Sequence, residues 1–240
     1  LPARRQFSLT VLADGSVLAT GGEKKSVDGL VDLDNPMFAA ERWDPATDRW
    51  TTLAAAARVR QYHSTATLLP DGRVLTGGGG ICGVCATKGY LEKNAEYFSP
   101  PYLFAKDGSG RAATRPVVTA APTTVRTDST FTLRTTVSTK VAKVGLVRLG
   151  ASTHGDDQGQ RYIPLAISNP RAGTTVVQGP ATTAVAPPGY YMLFVVDRAG
   201  VPSTATMVKV IRNERRAGSE PTGRPPAAPI APTPPRPGAR

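Results

Sequence analysis

One short pattern, met twice, limits the folds open to this chain more than any other feature. Asp14-Gly15-Ser16-Val17-Leu18-Ala19-Thr20-Gly21-Gly22 returns as Asp71-Gly72-Arg73-Val74-Leu75-Thr76-Gly77-Gly78-Gly79. Asp-Gly between two apolar runs makes a tight hairpin turn. The glycines that close each copy end the second strand where the backbone must turn or pack closely. The spacing lies near the ~50 residues of a propeller blade, with a somewhat long insertion.

Between the copies stands Glu41-Arg42-Trp43-Asp44-Pro45-Ala46-Thr47-Asp48-Arg49-Trp50. Two short strands flank an Asp-Pro turn with a Trp on either side, the kelch pattern of an outer hairpin in a blade. Only about one and a half units are present, and a propeller closes with roughly four to eight blades. Residues 1–112 therefore read as terminal kelch blades of an incomplete ring, and the chain as a fragment.

From about Arg115 the texture changes. Short β-rich runs at 117–119, 130–136, 140–149, 161–167, 174–177, 190–196 and 204–211 alternate with turn residues such as Asn169-Pro170-Arg171-Ala172-Gly173. This spacing predicts an immunoglobulin-like β-sandwich over 113–211. Helical periodicity is absent, so the expected fold class is all-β. The segment 212–240 holds eight of the 22 prolines, with Arg, Ala and Gly, and is expected to be a disordered tail.

The formal net charge is +11, and the tail supplies +4 of it through six Arg and two Glu. The remainder is scattered, without a dense basic run or interleaved aromatics, which argues against nucleic acid as a partner. No apolar run of roughly eighteen residues exists to span a membrane.

The chain has two histidines. His63 follows Tyr62 at the start of the second repeat, and His154 lies in a polar loop between two sandwich strands. Two imidazoles and a phenolate would suit a tetragonal Cu(II) centre with an open position, although spacing alone favours two ordinary histidines. Cys82-x-x-Cys85 reads as a redox pair, half a zinc site or a short-loop disulfide. Gly78-Gly79-Gly80-Ile81-Cys82-Gly83 matches a dinucleotide fingerprint formally, but no helix pattern and no later acidic residue support it.

Arg60-Gln61-Tyr62-His63-Ser64, Leu69-Pro70-Asp71-Gly72-Arg73-Val74 and Gly77-Gly78-Gly79-Gly80 together resemble the copper-binding blade of the galactose oxidase/glyoxal oxidase family. The likeness continues through Cys82-Gly83-Val84-Cys85, Phe98-Ser99-Pro100-Pro101-Tyr102-Leu103 and Ala113-Thr114-Arg115-Pro116. It resumes at Thr153-His154, Asp157-Gln158, Arg161-Tyr162-Ile163-Pro164-Leu165 and Pro188-Gly189-Tyr190-Tyr191-Met192-Leu193-Phe194.

The resemblance implies one copper ion held by Tyr62, His63 and His154, with Tyr62 also the catalytic base. It implies a disulfide between Cys82 and Cys85 and a substrate-contacting arginine at Arg4 or Arg5. The implied reaction is oxidation of a small alcohol or aldehyde by O₂ to give H₂O₂, in a secreted, extracellular protein.

The family's second oxidant, a tyrosine cross-linked to cysteine, has no counterpart within the chain. Activity of the chain alone is therefore not expected. A non-catalytic secreted module that binds carbohydrate or cell wall is the alternative expectation.

Overall fold

A computed structural model describes residues 3–24, 30–136 and 139–214. In chain order its strands are β1 (Arg5–Val11), β2 (Val17–Glu23), β3 (Ala39–Asp44), β4 (Arg49–Ala55), β5 (Ser64–Leu68), β6 (Val74–Gly78) and β7 (Ala95–Phe98). They are followed by β8 (Val118–Ala120), β9 (Thr124–Arg126), β10 (Thr130–Thr135), β11 (Val141–Arg148), β12 (Ser152–Thr153) and β13 (Asp156–Asp157). The last five are β14 (Tyr162–Leu165), β15 (Ile167–Arg171), β16 (Thr174–Gln178), β17 (Gly189–Asp197) and β18 (Thr206–Ile211). The fold is all-β, built from several antiparallel sheets.

β1-β2-β3-β4 form one blade sheet and β5-β6-β7 a second. The repeated Asp-Gly turns are built alike. Gly15 and Gly72 take φ of 88° and 85°, and the Asp14 and Asp71 carboxylates accept from the amides of Ser16 and Arg73 at 3.0 Å each. The Asp-Pro hairpin joins β3 to β4, with Trp43 paired opposite Trp50. Trp43 Nε1 donates to Asp48 across it at 2.9 Å.

The sandwich pairs a four-stranded sheet, β15-β16-β10-β8, with a five-stranded one, β14-β11-β17-β18-β9. Its core gathers Val125, Leu133, Val144, Leu146, Val177, Tyr191, Leu193, Val195 and Val208, one from every second position along the long strands. Two differences from the sequence expectation have local causes. The run expected at 161–167 splits into β14 and β15 at Ala166, because the chain passes from one sheet to the other there. The segment 169–173, expected as turn, lies largely inside β15, whose pairing with β16 is irregular between Ser168 and Arg171.

A further difference lies after the glycine run. No helix was expected, yet Gly83–Thr87 form a five-residue α1 whose N-cap is Cys82. A segment so short has no room to show a 3.6-residue period. No helix is long and apolar enough to cross a membrane. The Pro/Arg-rich tail beyond Glu214 lies outside the described residues.

Blades and sandwich share one core. Leu12, Leu18, Ala40, Leu68 and Val74 from the blades pack with Val147, Met192 and Phe194 from the sandwich. Arg115 clasps the junction: its guanidinium donates to the carbonyls of Asp71 (2.6 Å), Ser203 (2.7 Å) and Pro202 (2.9 Å). Arg115→Met keeps the stem and removes three charge-assisted donors. It is expected to lower stability by about 3 kcal/mol, since hydrogen bonds to charged groups are worth ~1.5–3 kcal/mol each with partial solvent compensation. Urea unfolding followed by tryptophan fluorescence measures the loss.

Candidate metal centre

His154 reaches the blades on a two-residue hairpin. β12 and β13 pair as Ser152 opposite Asp157 and Thr153 opposite Asp156, leaving His154 and Gly155 as the turn. Both have positive φ, 52° and 84°, which is the backbone of a type I′ turn. In sequence this segment reads only as a polar loop, and histidine is an unusual first residue for such a turn. Its left-handed conformation is a cost of ~1 kcal/mol or more that the surrounding contacts offset.

Those contacts come from both blades. The ribbon packs on β1 and β5, which lie side by side. Gln160 makes two bonds to β1: its side chain accepts from Val11 N (2.9 Å) and donates to Leu9 O (2.8 Å). Ser152 Oγ lies 3.3 Å from Ala66 O and 3.2 Å from Thr67 Oγ1.

On the blade side, almost every residue from Arg60 to His63 is held by its backbone or side chain. Gly22 N donates to Arg60 O at 2.6 Å and Gly80 N to Tyr62 O at 2.9 Å. Arg60 itself is buried and donates to Gly78 O, Asn94 and Glu96. The Gln61 amide bonds the backbone of Asp32 in both directions, at 2.7 and 2.9 Å, and Gln61 N donates to Tyr90 Oη at 2.8 Å. Gly80 has φ 103°, and a methyl there would collide with the Tyr90 carbonyl oxygen. The glycine run thus lets the backbone approach the histidine closely.

The result is a cluster of three rings. Tyr62 stacks on His63 with centroids 3.9 Å apart, and His154 stands edge-on at 4.5 Å from His63 and 5.6 Å from Tyr62. His63 Nδ1 lies 2.8 Å from Gly80 O. A carbonyl only accepts, so Nδ1 carries the proton and Nε2 presents its lone pair. His154 Nδ1 contacts the Thr153 hydroxyl at 2.7 Å. Each imidazole therefore uses Nδ1 for a protein contact, the arrangement that orients a ligating Nε2. Among the described residues no group of three or more His, Cys, Asp and Glu comes together; the donor set here is two His and a Tyr, which fits Cu(II).

The other expected positions are placed as follows. Cys82 and Cys85 are joined by a disulfide that brackets α1. Arg4 is buried and ion-paired with Glu41, with further bonds to Gly21 O and Ala39 O. Arg5 is exposed, opposite Glu23 in the β1–β2 register.

Sequence reasoning missed the polar shell beneath the cluster: Glu23, Asp32 and Tyr90. Glu23 is fully buried, accepts from Asp32 N at 2.7 Å through Oε2, and leaves Oε1 without a partner. Its partners are distant in sequence, and no residue pattern marks them.

Comparison with known proteins follows this geometry. Residues 115–210 match the family model "Galactose oxidase-like, Early set domain". The chain is 39% identical over 209 residues to a galactose oxidase of Gibberella zeae, covering 87% of this chain and 29% of that protein. It is 36% identical over 216 residues to an aldehyde oxidase GLOX of Vitis pseudoreticulata, covering 85% and 40%. A fungal alcohol oxidase of the AA5 family, solved in complex with copper, superposes with TM-score 0.76 at 36% identity over 85% of this chain and 42% of its own.

The class is that of copper-radical oxidases, and the chain spans less than half the length of these relatives. It belongs to the galactose oxidase/glyoxal oxidase family, of which it represents the C-terminal region with its early set domain.

Burial raises the Glu23 carboxyl above its ordinary range, the Asp32 amide only partly opposing this. A carboxyl raised in the folded state stabilises the fold at low pH, and that stability is lost as pH rises through the raised value. Glu23→Gln is therefore expected to melt higher than the parent at pH 7, with the difference shrinking toward pH 4. Paired calorimetric scans at the two pH values test this.

Proposed function

We propose that this chain is the copper-holding C-terminal part of an oxidase that converts a small alcohol or aldehyde with O₂ to H₂O₂. The observation that carries the reading is the meeting of Tyr62 and His63, adjacent on one blade segment, with His154 from the sandwich ribbon. In this reading residues 1–112 are the terminal blades, 113–211 the sandwich and 212–240 a tail. His63, His154 and Tyr62 would hold the copper. Bound copper supplies a one-electron couple and a Lewis acid for the substrate oxygen.

The chain's own residues have separate tasks. His63 and His154 present Nε2, fixed by Gly80 O and Thr153. Tyr62 takes the proton of the substrate hydroxyl. Arg5, with its exposed guanidinium, is the arginine placed to meet substrate, since Arg4 is committed to Glu41. The disulfide Cys82–Cys85 supports an oxidising, extracellular setting.

That disulfide also supports a reading of what this chain does alone. Both of its cysteines are consumed by it, so none is left to cross-link a tyrosine. Alcohol oxidation removes two electrons, and the copper couple takes one. The chain alone therefore binds copper without turnover.

Titration of the purified chain with Cu(II), read by paramagnetic resonance, is expected to give one site per chain with nitrogen coupling and no H₂O₂ from alcohols or aldehydes. His154→Asn suits the left-handed turn and should fold normally, yet lose at least about tenfold in copper affinity, the scale set by disturbing even a supporting group. Unchanged stoichiometric binding in both His63→Ala and His154→Asn would sink the reading.

A further inference from the structure

The sandwich carries more positive charge than its share, and the structure shows where. Residues 115–211 hold ten Lys and Arg against four Asp and Glu. Arg134, Lys140, Arg171 and Arg198 gather around two adjoining clefts, neither of which is lined by Tyr62, His63 or His154. One cleft, of about 200 Å³, is lined by Thr135, Lys140, Asn169, Arg171, Thr175 and Arg198 among others. The second, of about 550 Å³, includes Thr132, Arg134 and Val176. The two share Arg171 and Thr174.

Five features mark this end of the sandwich as more than a solvated face. All four cationic side chains are exposed, none makes an ion pair among the described residues, and neither cleft has a carboxylate in its lining. The three register shifts of the sandwich sheets all fall here, at Arg134/Thr135, Val141/Lys143 and Ser168/Arg171. Bulges re-aim side chains and concentrate beside functional sites. Thr135, only 6% exposed, lines the smaller cleft with its hydroxyl lacking any protein partner. Such a buried hydroxyl is costly unless something else satisfies it.

We infer that these clefts form an anion-binding site for the carboxylates of an acidic, uronate-bearing polysaccharide. Two clefts sharing one arginine suit a polymer with repeated charges rather than a single small anion. The Thr135 hydroxyl, which has no hydrogen-bond partner among the described residues, complements a sugar hydroxyl. No aromatic ring lines either cleft, so the recognition is by charge and not by stacking, and neutral glucans are excluded. The site would hold the protein on acidic wall material, independently of copper.

Affinity electrophoresis of the full chain through gels containing polygalacturonate tests this. The parent is expected to be retarded, less so as salt rises, and not by a neutral glucan. Arg171→Gln with Arg198→Gln should weaken binding at least tenfold. The control pair Arg49→Gln with Arg126→Gln removes the same charge from exposed positions elsewhere and should leave binding unchanged. The Arg-rich tail is common to all variants, so any difference belongs to the clefts.

Equal loss in both pairs overturns the site. Equal retardation of the parent by a sulfated glycan or by single-stranded RNA overturns the assignment to uronates. If the double variant fails to melt like the parent, Lys140→Gln replaces it, with loss of binding expected and full binding counting against the site.

Discussion

The whole arrangement depends on a hydrophobic contact shared by blades and sandwich. A blade sheet is apolar on its faces and buries them only against neighbours. Here one such neighbour is the sandwich: Leu12, Leu18 and Val74 on one side meet Val147, Met192 and Phe194 on the other. Arg115 ties the same junction through three carbonyls from both parts. Because this core fixes β11 and β17 against the blades, the excursion that leaves β11 has only one place to go. It lies across β1 and β5 and delivers His154 to His63.

From that placement the chemistry of the cluster follows in small steps. A hairpin turn forces His154 into a left-handed backbone, and Gln160 with Ser152 holds the ribbon down. The opposing segment, Arg60 to His63, is fastened by Gly22, Gly80, Asp32 and Tyr90. Glu23 lies buried under this segment at an evident cost, one oxygen having no partner. The positioning of three rings to a few ångströms is thus distributed over several strands and loops, two of the rings standing next to each other in sequence and the third coming from the sandwich.

Charge is organised on the opposite principle. Near the cluster, Arg4 and Arg60 are buried against Glu41 and Glu96, where they serve the fold. At the end of the sandwich where the three bulges fall, four cations stand exposed and unpaired. The high net charge is therefore neither uniform nor structural in origin. Part of what is exposed, at Arg134, Lys140, Arg171 and Arg198, lies at bulged strand edges.

The sequence alone determined the all-β class, the paired Asp-Gly turns and the Trp hairpin, because each depends on contacts between near neighbours. It also named the ring residues, through motifs that mark a family. It did not reveal α1, too short to show a period, or the I′ turn under His154, whose first residue breaks the usual preference. Nor did it distinguish Arg4 from Arg5, since burial of one and exposure of the other is set by Glu41, a residue on another strand. The shell of Glu23, Asp32 and Tyr90, the Arg115 clasp and the basic clefts were decided only by tertiary structure. Each joins groups that are remote in the chain, and only the packing of blade on sandwich brings them within bonding distance.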